Sequence, residues 1–143
     1  MLRASRAVLP ALIACALLAG CATRPSGALD ETVTVSAASP VQVGREPLSL
    51  QIVAVQDRRC PSDVRCAWEG HATVAVQVRR EGASPHIVLL GTPSPPAMHL
   101  PGEANAGPYH LRLVDLVPAN HLRMPPSLPQ YRARVQVTPA SAS

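Results

Sequence analysis

The chain has 143 residues, enough for one domain of ordinary size and too few for several. Its formal charge of +4 is carried by 13 Arg with no Lys, and these arginines are dispersed rather than clustered. With one Trp and two Tyr there is no row of rings on which bases could stack, so a nucleic-acid surface is disfavoured and no nucleic acid is expected as a partner.

The chain begins MLRASRAVLPALIACALLAGC. Arg3 and Arg6 form a short basic region, followed by an apolar run from Ala7 to Ala19. That run is too short to cross a bilayer as a helix, which needs about 20 residues. It ends in Leu18-Ala19-Gly20-Cys21, an aliphatic residue and two small ones before a cysteine. This resembles the lipobox of bacterial lipoproteins. The resemblance implies a cleaved signal peptide over 1–20 and acylation of Cys21, with palmitate among the chains. Leu12-Ile13-Ala14-Cys15 is a poorer match, because it would leave a very short apolar region. Several acyl chains anchor stably, since each buried CH₂ contributes about 0.8 kcal/mol. Ala22 stands where an aspartate would favour inner-membrane retention in enteric lipoproteins, so the expected address is the outer membrane, facing the periplasm.

Residues 21–30 contain small and polar side chains broken by Pro25 and Gly27, and read as a flexible tether. Beyond them the apolar residues recur with a period of two. Thr32–Ser36 alternates, as do Leu48, Leu50 and Ile52. Ala72, Val74, Val76 and Val78 alternate with polar or small residues, and Ile87–Leu90 is a short continuous run. Tyr109, Leu111 and Leu113 form the next set, and Tyr131, Ala133, Val135 and Val137 the last. Side chains in a strand point alternately to opposite faces, so these are half-buried strands. The 16 prolines fall mostly between them, where they end strands and stiffen loops. The expected fold is all-β: a single antiparallel β-sandwich, immunoglobulin-like in the loose sense, over 31–138. An open barrel is the alternative, and 139–143 reads as a disordered tail. The core, with no Phe, must be built from small aliphatic side chains.

Cys60 and Cys66 remain once Cys15 leaves with the signal and Cys21 is acylated. An even pair in an oxidising compartment reads as a disulfide. The spacing is not the C-x2-C of zinc ribbons or thiol redox sites, and there is no second pair to complete a sulfur site. Trp68, two residues on, is expected on the same face as Cys66, covering the bridge or plugging the end of the core. Asp57, Arg59, Cys60, Pro61, Val64, Cys66, Trp68 and Gly70 together spell D-x-R-C-P-x-x-V-x-C-x-W-x-G. This pattern resembles one found in small uncharacterised bacterial secreted proteins and lipoproteins. The resemblance implies a secreted, disulfide-tied, β-rich protein in which these positions are structural, and it implies no mechanism.

No pair of carboxylates and no nucleophile motif nominates a catalytic residue; Asp57 reads as an ion-pair partner or turn cap, and Ser62 has no evident base nearby. No enzyme activity and no cofactor are expected. Met98, His99, His121 and Met124 lie in or beside long loops and form a candidate copper or zinc set, since thioether and imidazole suit Cu(I). His71, His86 and His110 read as polar residues on outer strand faces. Arg65, on the cysteine loop, could present an arginine to a trypsin-like protease. The reading favoured over both is a non-catalytic binding or accessory module of the cell envelope, with the membrane as one partner and an envelope protein as a candidate second. If the cysteines form a staple, Cys60→Ser/Cys66→Ser should lower unfolding stability by up to roughly 2.5 kcal/mol for a loop of this size. Thiol titration and urea denaturation of the periplasmic protein check this; two free thiols in the unreduced wild type would refute it.

Overall fold

A computed structural model of the chain describes residues 29–93 and 98–141. The signal peptide, Cys21 and most of the tether lie outside the described residues.

Eight strands follow in order: β1 Glu31–Ser36, β2 Val41–Gln42, β3 Leu48–Arg59, β4 Gly70–Arg80, β5 His86–Gly91, β6 Glu103–Ala106, β7 Tyr109–Val117 and β8 Arg132–Pro139. They form two four-stranded antiparallel sheets, one ordered β1-β8-β7-β6 and the other β2-β3-β4-β5. The fold is the expected β-sandwich. Every strand read from alternation is present, with its apolar set inward: Leu48, Leu50, Val74, Val76, Val78, Leu111, Ala133, Val135 and Val137 are all fully buried. β2 and β6 escape a reading by alternation because they are short, Val-Gln and Glu-Ala-Asn-Ala, and carry no apolar stripe of their own. At the C-terminal end, β8 runs through Pro139 and the Ala140 N–H donates to the Pro108 carbonyl at 2.8 Å. The ordered chain therefore extends two residues past the expected boundary.

β3 also runs further than its alternation suggested, to Arg59. The reason is a bulge. Opposite β4 the register shifts between Ile52 and Ala54. An extra residue in a strand reverses which side chains face inward. Before the bulge the inward residues are Leu48, Leu50 and Ile52; after it they are Val55, Asp57 and Arg59, two of them charged. β7 has a matching irregularity between Leu113 and Asp115, after which Leu116 is the buried residue. Both bulges lie toward the same end of the sandwich, where hydrocarbon gives way to polar groups.

The chain enters at the other end. Glu31 pairs with Val137, which pairs with Leu111, and Leu29 packs on the core beside them. Tyr109 Oη donates to Glu46 Oε2 there, at 2.8 Å. β3 has 12 residues. At about 3.3 Å per residue, it separates this entry end from the cysteine end by roughly 35 Å.

Gly70, which opposes Arg59 at the start of β4, has φ +75°, and a Cβ there would overlap the Arg58 carbonyl. Only glycine fits such a position without strain. Gly70→Ala should lower stability by about 2 kcal/mol or more, combining left-handed backbone strain with the clash. Urea midpoints measure it, and a loss under about 0.5 kcal/mol would mean that the strands yield easily.

Candidate functional site

Arg59 joins the sheets at the polar end. Its Nε and Nη2 donate to the two oxygens of Asp57 at 2.9 and 2.6 Å. Its Nη1 reaches the Leu116 carbonyl at 2.5 Å and its Nη2 the Pro118 carbonyl at 2.7 Å, both in or just beyond β7 on the other sheet. Tyr131 Oη, at the entry to β8, donates to Asp57 Oδ2 at 3.0 Å. The planar five-donor guanidinium suits this role, and the compact ammonium of Lys could not span the same acceptors. The Asp57 carboxylate is almost wholly buried, with 5% of its side chain exposed. Burial pushes its pKa up, but the hydrogen bonds and charge of Arg59, with the bond from Tyr131, outweigh burial and hold it below the ordinary value. Burial and the bond to Asp57 push the Tyr131 hydroxyl up to about 12. Of the two readings of Asp57, ion-pair partner or turn cap, the ion pair is present, and its burial between the sheets is an addition to both.

The cysteine loop grows from this clamp. Cys60 and Cys66 are joined by a disulfide, with Cα atoms 5.9 Å apart. The Cys60 N–H donates to the Glu69 carbonyl at 2.6 Å, which closes the neck of the loop. Its other flank is fastened to the segment after β7. Ser62 N–H donates to Asn120 O at 2.8 Å, and Asn120 Nδ2 to Arg59 O at 3.1 Å. The Asp63 carboxylate accepts from the Leu122 and Arg123 N–H groups at 2.8 and 3.3 Å. Pro61 stands half-buried within this frame and Arg65 is exposed on it.

Trp68 departs from expectation. It does not plug the core: residues 67–69 form no strand, and Trp68 is 56% exposed. Its ring helps to wall a hollow of about 350 Å³ on the outer face of the β2-β3-β4-β5 sheet, with Met98 and Leu100 as its apolar companions. Gln56, Arg58 and Thr73 supply the polar wall. His71 also lines it and also departs from expectation. Although on the outer face of β4, it is only 6% exposed. One ring nitrogen, Nδ1, lies 3.3 Å from Thr92 Oγ1, while Nε2 has no hydrogen-bond partner. The Cε1–Nε2 edge stands against Gly91, where a Cβ would come within 2.6 Å of both atoms.

The candidate metal residues have separate surroundings. Met98 is in the wall beside Trp68, and His99 follows it with φ +48°. His121 approaches Ser62 Oγ, with ring nitrogens at 3.0 and 3.3 Å, and Met124 is 79% exposed. Among the described residues no group of three or more His, Cys, Asp or Glu side chains could hold a metal ion. The Ser62–His121 contact corrects the reading that Ser62 has no base nearby, a contact invisible at a separation of 59 residues. Oγ faces the ring edge almost equally from both nitrogens, and Asp63 spends its oxygens on backbone N–H groups. Among the described residues no side chain therefore orients the imidazole as general-base chemistry requires.

In comparisons with known proteins, no family model, curated protein or solved structure matches this chain.

Because the folded-state pKa of Asp57 lies below its ordinary value, the clamp contributes stability above that ordinary value and loses it as pH falls through the folded one. Asp57→Asn should be less stable than wild type near neutrality, and the gap should close in acid. Urea midpoints of both proteins from about pH 6 to about pH 2 measure this; a gap independent of pH would contradict the assignment.

Proposed function

We propose that the chain is a non-catalytic binding module of the bacterial cell envelope, anchored through acylated Cys21 in the outer membrane and facing the periplasm. The observation that supports this reading most is the placement of the two ends. The body is entered at Leu29, eight residues after Cys21, at the end of the sandwich opposite the disulfide. An anchor at Cys21 would hold that entry end near the bilayer and turn the disulfide loop, Arg65 and Trp68 toward the periplasm. Loops carried on a rigid sandwich are common recognition surfaces, and here a disulfide and the Arg59 clamp hold the loop in shape, which reduces the ordering cost of binding.

Two linked measurements test the proposal. Metabolic labelling with an alkyne palmitate should tag the wild type and not Cys21→Ser, and the variant should move from the membrane to the soluble fraction. A photo-crosslinker at Arg65 in the native host should give a dominant protein adduct that is lost when the same probe is placed at Glu31, at the entry end. A soluble, unlabelled wild type would end the anchoring claim. Equal crosslinking from both ends would end the claim of a distal recognition surface.

A further inference from the structure

We infer that the Trp68 hollow is a binding site for a small carboxylate with an apolar or aromatic body. The proposal rests on reading the chain as a binding module, but it concerns a different surface from the tip of the disulfide loop.

Two observations point to a ligand of this class. First, the hollow is apolar where solvent would be expected. Trp68, Met98 and Leu100 are all large, exposed and gathered on one outer sheet face, with exposures of 56%, 39% and 39%. Aromatic and Met side chains gathered in this way are typical of recognition sites. At about 350 Å³ the hollow falls within the range of small-molecule sites. It continues past Gln56 and Thr73 into a smaller depression of about 130 Å³, lined by Ala54, Ala75 and Leu89. Small residues on two adjacent strands thus leave a shallow track in which an extended apolar body can lie.

Second, the charge at its wall is positive and unanswered. Arg58 points outward from β3 beside Trp68, and among the described residues its guanidinium makes no hydrogen bond or ion pair. Its neighbour Arg59, pointing inward, is fully engaged. A free guanidinium fork beside an apolar wall matches a carboxylate bound through two parallel N–H···O bonds.

The larger groove beside the bare edge of β3, about 400 Å³, is the weaker site. Two of its polar members, Asp57 and Tyr131, are already bonded to each other within the clamp.

Trp68 is the chain's only tryptophan, so its fluorescence reports on this site alone. The full chain would be titrated with 4-phenylbutyrate, with 4-phenylbutanol and 4-phenylbutylamine as neutral and cationic counterparts. Saturable change in emission with the acid, at least about fivefold tighter than with the alcohol, is the expected result, because only the acid gains the charge-assisted bonds. Arg58→Ala, which removes a side chain without internal bonds, should bring the acid to the affinity of the alcohol while leaving the melting temperature unchanged. Leu100→Glu, which puts a carboxylate into the wall, should abolish binding of the acid. No saturable change, equal responses to all three compounds, or an Arg58→Ala variant that binds the acid as well as wild type would overturn the proposal. None of these results would touch the crosslinking from Arg65, so the two readings fail separately.

Discussion

The cysteine end of this sandwich is closed by one guanidinium. Elsewhere the sheets are held apart and together by Val and Leu side chains, as in any sandwich whose inner faces interdigitate. Toward the loop that hydrocarbon layer ends, and Arg59 takes its place: two bonds to Asp57 on its own strand, two to carbonyls of the facing sheet. Asp57 cannot be buried without Arg59, since an isolated carboxylate in such surroundings is strongly penalised. The carbonyls of Leu116 and Pro118 would likewise lack the donor they now have. The features downstream depend on this clamp. Cys60 follows Arg59 directly, its N–H closes the neck of the loop, and Gly70 must press against the same stretch of β3 to keep the strands paired.

The period-two pattern carries most of the fold, because each long strand has one face in a hydrocarbon core and one in solvent. It conveys little about β2 and β6, which are too short to show a period although Val41, Ala104 and Ala106 pack on the core. It also misleads where parity changes. Asp57 and Arg59 are legible as a charged pair, and their motif is legible as structural, but only the bulge at Ile52/Ala54 turns them inward. A bulge leaves no local signature in Ile-Val-Ala-Val. Trp68 and His71 fail for a related reason. Strand geometry alone places each of them in solvent or core, whereas Met98 and Leu100 come to the outer face of the sheet and share one hollow with both. Long-range contacts such as Ser62 with His121 have no sequence correlate at all.

The molecule thus divides its polar chemistry between two adjacent arginines. Arg59 is consumed by the architecture, and Arg58, one residue earlier and on the opposite face, is left over. Alternation makes this division automatic: a strand that sends one guanidinium inward must send its neighbour out. The apolar side chains that collect around Arg58 set it apart from a solvated surface charge.

The bulge in β3 also bears on which changes of length the chain can accept. Loops on such a scaffold tolerate insertions, because closing a longer loop adds little free energy. Strand β3 is different. Losing Val53, the extra residue of the bulge, would leave Asp57 and Arg59 inward, whereas losing Gln56 with the bulge kept would turn Arg58 inward while Asp57 and Arg59 faced water. The clamp would come apart with every one of its residues still present. Descendants of this sequence can therefore vary the length of loops far more freely than that of β3, and a single gap between Ala54 and Asp57 would mark a chain that closes the cysteine end by some other means.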